Sequence, residues 1–354
     1  MSSLVIQTSF LGDMVLTTPL LERLAERGAV DVVATPANAV LLANHPAVRD
    51  VIIFDKRGAA RGFRGLKRVS NEIRWRETPN GREPRGARVA YLAQGSVRSA
   101  WLAILGGISE RVGFKSSSAR LFYTKQIPYR RDLHHAVRLW QLGSASPNEV
   151  PAETLRPTLF PNDVDGAAVD SLLNSAGVSS SDSFIALAPG SAWATKRWPS
   201  YGALAKTIAQ NSLLSQHRIV VIGGAGDGAL AVAIDEQLRA LGAPPAIDAT
   251  GKLSLLASAN LISRAVALVT NDSSPLHLAS AMGTPTVALF GPTVPSFGFG
   301  PLSPKHTILG MEQLVCRPCN AHGPQTCPLG HWKCMRELTP DLVATSLAQL
   351  VGRD

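Results

Sequence analysis

The sequence predicts an α/β protein of two domains, each a parallel sheet with helices on both faces. Apolar, β-branched runs alternate with helical patterns along the whole chain, and several runs end in polar turns holding Gly or Pro. Size is the other observation. A chain of 354 residues with 45% hydrophobic and 17% charged content is long enough for two buried cores and is excluded from the disordered class.

In the first half the expected strands are Leu4–Gln7, Val30–Ala34, Val51–Phe54 and Arg88–Leu92. In the second half they are Phe184–Ala188, Arg218–Gly223, Ala246–Ala249, Ala267–Thr270 and Thr286–Phe290. Ser144 to Asp165 is rich in Pro, Ser and Asn and lacks periodicity, which places the domain junction there. The expected division is 1–160, 161–335, and a closing helix within 336–354 whose pattern runs from Pro340 to Leu350. Sites in such sheets lie at the carboxyl ends of strands. The turns after Gln7, Ala188, Gly223 and Thr270 are therefore expected to face a central cleft.

Each of those turns carries chemistry. In Thr8-Ser9-Phe10-Leu11-Gly12-Asp13, Gly12 allows close backbone approach, and Asp13 either caps the next helix or serves as a general base. In the turn from Pro189 to Pro199, Lys196 and Arg197 can neutralise a diphosphate, and Ser191 and Thr195 offer hydroxyls; a solvated basic loop is the plain alternative. Gly224–Ala229 fits G-x-G-x-x-A after a strand, with Asp248 at the spacing of a ribose-binding acid. That keeps an NAD-dependent oxidoreductase as an alternative, although Asp227 can reach a ribose from the same turn. In Thr270–His277, Pro275 sits in the first turn of a helix whose N–H groups and positive dipole end converge on one point. Asp272, Ser273, Ser274 and His277 surround that point, which suits a phosphorylated ligand. The plain alternatives are a capping Asp272 and a core His277.

The formal charge of +9 and pI of about 9.7 admit a polyanionic partner. The charge is concentrated: Lys56 to Arg88 holds eleven Lys/Arg, among them Lys56, Arg57, Arg61 and Arg64, against three Glu, which is +8 of the +9. This reads as a docking surface for an anionic acceptor or lipid head groups, or else as a solvated loop. A nucleic-acid partner is the less favoured alternative, since only Phe63 and Trp75 interleave the charges. Cys316, Cys319, Cys327 and Cys334, with His322 and His331 between, suit a zinc site or reduced thiols, and the second pair lacks the tight C-x2-C spacing. No apolar run approaches the roughly 20 residues of a membrane span. Met1–Gln7 lacks a signal peptide's basic region. A cytoplasmic location with peripheral membrane contact is expected.

Together, T-S-x-x-G-D (8–13), P-G-S…K-R-W-P (189–199), G-G-x-G-D (223–227), N-D-S-x-P-L-H (271–277) and F-G-P-T (290–293) resemble the family 9 glycosyltransferases, the heptosyltransferases of the lipopolysaccharide inner core. The resemblance covers nearly the whole chain, and the Cys-rich tail (316–334) is most similar to the heptosyltransferase II branch. It implies a GT-B fold of two Rossmann-like domains, an ADP-heptose donor, inversion at the anomeric carbon, and neither cofactor nor catalytic metal. It further implies Asp13 as base, Lys196 on the departing diphosphate, Ser191 beside the phosphates, Asp227 near the adenosine ribose, and Asp272, Ser273, Ser274 and His277 at the donor sugar and phosphate. Ala192 departs from the family's usual hydroxyl residue and is not carried over; Ser274 stands where the family commonly has Gly. The inner-core acceptor, rich in Kdo carboxylates and phosphates, is assigned to Gly12, Lys56, Arg57, Arg61 and Arg64.

Overall fold

A computed structural model of the chain describes residues 2–79, 81–146, 149–179 and 182–352. The chain forms two compact units, Met1–Phe160 and Pro161–Asp354.

In the first unit the chain order is β1 (Ser2–Gln7), α1 (Leu11–Ala25), β2 (Val30–Ala34), α2 (Pro36–Val40), β3 (Asp50–Ile53), α3 (Gly62–Arg74), β4 (Trp75–Thr78), β5 (Gly81–Pro84), β6 (Ala87–Leu92), α4 (Val97–Leu105), β7 (Glu110–Phe114), β8 (Lys125–Ile127) and α5 (His135–Gln141). The sheet runs β3-β2-β1-β6-β7-β8, every pair parallel. Strand order reverses between β1 and β6, the place where parallel α/β sheets bind ligands. Leu4, Val5 and Ile6 of β1 are fully buried, as a central strand covered on both faces requires. The basic stretch is folded: it forms α3 and the antiparallel hairpin β4–β5.

The second unit continues with α6 (Asp163–Ser175), β9 (Phe184–Ala188), α7 (Tyr201–Gln210), β10 (Arg218–Val221), α8 (Gly228–Arg239), β11 (Ile247–Asp248), α9 (Leu255–Arg264), β12 (Ala267–Asn271), α10 (Ser274–Met282), β13 (Thr286–Phe290), β14 (His306–Gly310), α11 (Lys333–Arg336) and α12 (Pro340–Val351). Its sheet, β11-β10-β9-β12-β13-β14, repeats the order of the first, with the reversal between β9 and β12. Ile185, Leu187, Val269 and Leu289 pack with Leu204 of α7, Ile234 of α8 and Leu347 of α12, so the closing helix belongs to this core.

The differences from the expected elements lie mostly at sheet edges. β7, β8 and β14 escape the sequence reading because strands outside the sheet centre need no continuous apolar run; β8 is only Lys-Gln-Ile. Helix α10 begins at Ser274, which puts Pro275 in its first turn as expected, where its missing N–H costs nothing.

Candidate functional site

In the second unit, strand order sets the turn after β9 beside the turn after β12. Asn271 stitches them together: its Nδ2 donates to Pro189 O at 2.9 Å, and its Oδ1 accepts from Trp198 N at 3.3 Å. This places Lys196 against Asp272. Lys196 Nζ donates to Asp272 Oδ2 at 2.6 Å, and Thr293 Oγ1, from the turn after β13, donates to the same oxygen at 2.6 Å. Both members of the ion pair are nearly buried, with side chains 10% and 9% exposed. Two buried charges need further hydrogen bonds beyond each other, and Thr293 supplies one to Asp272.

Asp272 does not cap α10: the N-cap is Ser273 and makes no side-chain cap bond. The Asp272 N–H is also taken, since it donates to Leu289 O, which leaves an anion the N–H groups of Ser273 and Ser274. The Thr195 hydroxyl turns away to Pro324 O. Ser191 accepts from Trp193 N at 3.3 Å. His277 is buried with its ring edge-on to Phe299. Asp227 folds back into its own turn, where Oδ2 accepts from Gly224 N at 2.9 Å. A Cβ at Gly190 or Gly223 would fall within 2.6 Å of that carboxylate, so a side chain at either position would displace it.

The Cys-rich segment forms a strap over these turns. Arg317 donates to the carbonyls of Phe290, Gly291 and Thr293, and Cys319 N donates to Pro292 O at 2.8 Å. Gln325 bonds Ala194 N and Ala192 O, and Trp193 stacks on His322 with 6.1 Å between centroids. The four cysteines are free thiols. Burial pushes Cys334 up to about 11. Burial also acts to raise Cys327, but the N–H groups of Trp332, Leu329, His331 and Gly330 outweigh it and hold that thiol below its usual range. Among the described residues no three Cys, His, Asp or Glu side chains are disposed to hold a metal ion.

In the first unit, Asp13 is the third residue of α1, whose N-cap is Phe10, so Asp13 does not cap it. Ser9 Oγ lies 2.6 Å from Asp13 Oδ2, and His135 Nε2 lies 3.6 Å from Oδ1. Gly12 is buried in the first turn of α1 rather than open in a loop, because the helix starts at Leu11. Beside this turn is a cavity of about 550 Å³ lined by Ser9, Phe10, Asn38, Lys56, Arg57 and Gln94, among others. Burial, and then the neighbouring Arg57 and Arg98 charges, lower the Lys56 ammonium; its Nζ donates to Thr8 O at 2.6 Å. Arg57, Arg61, Arg64 and Lys67 are exposed. The segment's acids are taken up locally: Glu72 pairs with Arg68, Glu77 with Arg82 and Glu83 with Arg76. Arg85 is buried against Asp31 and Asp50, where it ties the sheet rather than meeting a ligand.

Residues 85–332 match the profile of glycosyltransferase family 9 (heptosyltransferase). The chain belongs to this family. The lipooligosaccharide heptosyltransferase 2 of Haemophilus influenzae is 25% identical to this glycosyltransferase over the full length of both chains. The lipopolysaccharide heptosyltransferase 2 of Escherichia coli K12 is 27% identical over 87% of this chain and 88% of its own. Two solved structures share the fold at 24% identity. The E. coli ADP-heptose heptosyltransferase II covers 99% of this chain and 98% of its own at a TM-score of 0.78. A Veillonella parvula family 9 glycosyltransferase covers 100% and 98% at 0.83. The fold is GT-B, with a Rossmann-like sheet in each unit.

Thr293, Arg317, Arg98 and His135 of this glycosyltransferase stand at these sites without having been expected there from the sequence. Thr293 closes the F-G-P-T motif, a signal that could have found it. His135 stands in no recognisable motif, and only the packing of α5 on α1 brings it to Asp13.

Proposed function

We propose that this glycosyltransferase moves heptose from ADP-L-glycero-D-manno-heptose to the lipopolysaccharide inner core, inverting the anomeric carbon without a catalytic metal. The names of its full-length relatives support the donor and acceptor classes. The observation that carries the donor role is Lys196 Nζ, buried beside the start of α10 and paired with Asp272, whose carboxylate also accepts from Thr293.

In this reading Asp13 takes the proton of the acceptor hydroxyl as its oxygen bonds to the anomeric carbon. The bond from that carbon to the diphosphate breaks, and ADP leaves with the electron pair. Lys196 and the N–H groups of Ser273 and Ser274 stabilise the charge that develops on the diphosphate. Ser191 and His277 line the donor phosphates and sugar, and Asp227 keeps the Gly223–Gly224 turn open for the nucleoside. Lys56, Arg57, Arg61 and Arg64 receive the anionic acceptor. Exposed Phe63, 71% accessible beside Arg64 and Lys67, supports peripheral contact with the cytoplasmic face of the inner membrane. No helix among the described residues is long and apolar enough to cross a membrane.

The test is product mass and ADP release from ADP-heptose with a Kdo/heptose inner-core acceptor, with ADP-glucose, UDP-glucose and NAD(H) as controls. Transfer from ADP-heptose with inversion, read by NMR of the product, is the expected result. Equal turnover of ADP-glucose overturns the donor assignment.

A further inference from the structure

The two oxygens of the Asp13 carboxylate have different neighbours. Oδ2 lies 2.6 Å from Ser9 Oγ, a hydroxyl on the same turn; Oδ1 faces His135 Nε2 at 3.6 Å, from a helix far along the chain. A carboxylate on a short side chain turns readily about its last torsion, which is broad and two-fold. Contacts on both oxygens from different elements restrict that rotation; a contact on one does not.

The imidazole is itself buried. His135 is 7% exposed and opens α5, which packs along α1. Behind it the Tyr129 ring lies 6.5 Å away between centroids. Tyr129 is clamped in turn: its ring stands edge-on to Phe114, its hydroxyl accepts from Arg138 Nη1 at 2.9 Å, and the guanidinium lies over the ring at 4.8 Å. Arg138, 2% exposed, also donates to Arg130 O at 2.7 Å and Arg131 O at 2.6 Å. His135 and Arg138 are three apart on α5, so one helix face carries both the imidazole and the clamp on its backing ring. A group held this way on packed helices is pre-organised rather than placed by a loop.

We infer that His135 is a positioning residue for the transfer reaction, orienting the Asp13 carboxylate through Oδ1 toward the acceptor hydroxyl. The separation of 3.6 Å is longer than a hydrogen bond and suits a polar contact that tightens when substrate fills the site. When Asp13 accepts the proton, Ser9 and His135 keep the carboxyl group from turning away. This inference rests on the role of Asp13 as base, and its test separates the two.

The experiment compares full-length His135→Asn, His135→Ala and Asp13→Asn for kcat, donor and acceptor KM, ADP affinity by calorimetry, and thermal midpoint. In His135→Ala, kcat falls about 10–100-fold, less than the ~10²–10⁴ a general base contributes, while KM and ADP affinity hold. Added imidazole restores part of the lost kcat, and His135→Asn, which keeps a polar group near Oδ1, retains more activity than His135→Ala. Wild-type kcat in His135→Ala beside an inactive Asp13→Asn overturns the inference and leaves the base assignment standing. A fully active Asp13→Asn overturns the base assignment itself. If His135→Ala does not fold, His135→Asn decides: a kcat loss matched by loss of ADP affinity makes His135 merely structural and overturns the inference.

Discussion

Two aspartates stand at the strand-order reversals of the two sheets, and their surroundings oppose each other. Asp272 gives one oxygen to both Lys196 and Thr293, two donors that are charged or buried and fixed by neighbouring turns. Asp13 meets a serine hydroxyl on one oxygen and an imidazole at 3.6 Å on the other, beside an open cavity of about 550 Å³. The same architecture thus yields one carboxylate committed to an ammonium and one shared between a hydroxyl and an imidazole, the surroundings in which the proposed base would work. Environment, not residue type, separates the roles. In the proposed reaction Asp272 holds a cation in place, and Asp13 accepts the proton.

The sharpest way to break this comparison is Asp13→Ala. It should lower kcat by about 10²–10⁴-fold while ADP-heptose binding stays largely intact; near wild-type turnover would show that Asp13 is not the base. Lys196→Ala comes next, with donor kcat/KM down about 10²–10³-fold and the fold retained; unchanged donor kinetics would remove its phosphate role. Asp272→Ala leaves the Lys196 ammonium buried without its carboxylate and should cost about 3–5 kcal/mol in unfolding free energy, part of which ADP restores by supplying negative charge. Asp13→Ala should leave the thermal midpoint nearly unchanged, and equal destabilisation of the two variants would erase the contrast.

A smaller effect separates the units by pH. His45 of the first unit is buried against Phe160, and burial lowers its imidazole from 6.5 to about 4. The unfolded chain therefore binds this proton first. Stability from this group is complete above pH 6.5, falls as pH drops toward about 4, and levels off below; the loss is about 3 kcal/mol at most. Chemical denaturation across that range should show the slope, and His45→Gln should flatten it. The smallest effect belongs to the exposed cations. Arg61→Ser with Arg64→Ser should raise acceptor KM a few-fold, weaken binding to anionic vesicles and reduce its salt dependence, with donor KM unchanged. A donor effect equal to the acceptor effect would place these arginines elsewhere in the reaction.

The central strands were legible because each is a short apolar run buried on both faces, as in Phe184–Ala188 and Thr286–Phe290. β7, β8 and β14 were not, because a strand with an exposed face blends into polar loops. The basic stretch gave its charge but not its form: α3 and the hairpin bind up its glutamates, and Arg85 turns inward to Asp31 and Asp50. Asp227 was read at the ribose, and the glycines at 190 and 223 that accommodate its return into the turn became meaningful only once those turns were seen together.

By itself the sequence determined the α/β alternation, the positions of the reactive turns and the residue types they carry. These follow from local rules: hydrophobic period, proline in a helix's first turn, and polar residues after a buried strand. Only the tertiary structure decided which atoms meet. Lys196 and Asp272 lie 76 residues apart and become a pair because β9 and β12 are neighbours. His135 reaches Asp13 because α5 packs on α1. Strand order and helix packing are settled by burial summed over a whole unit, and no short stretch of sequence contains that sum.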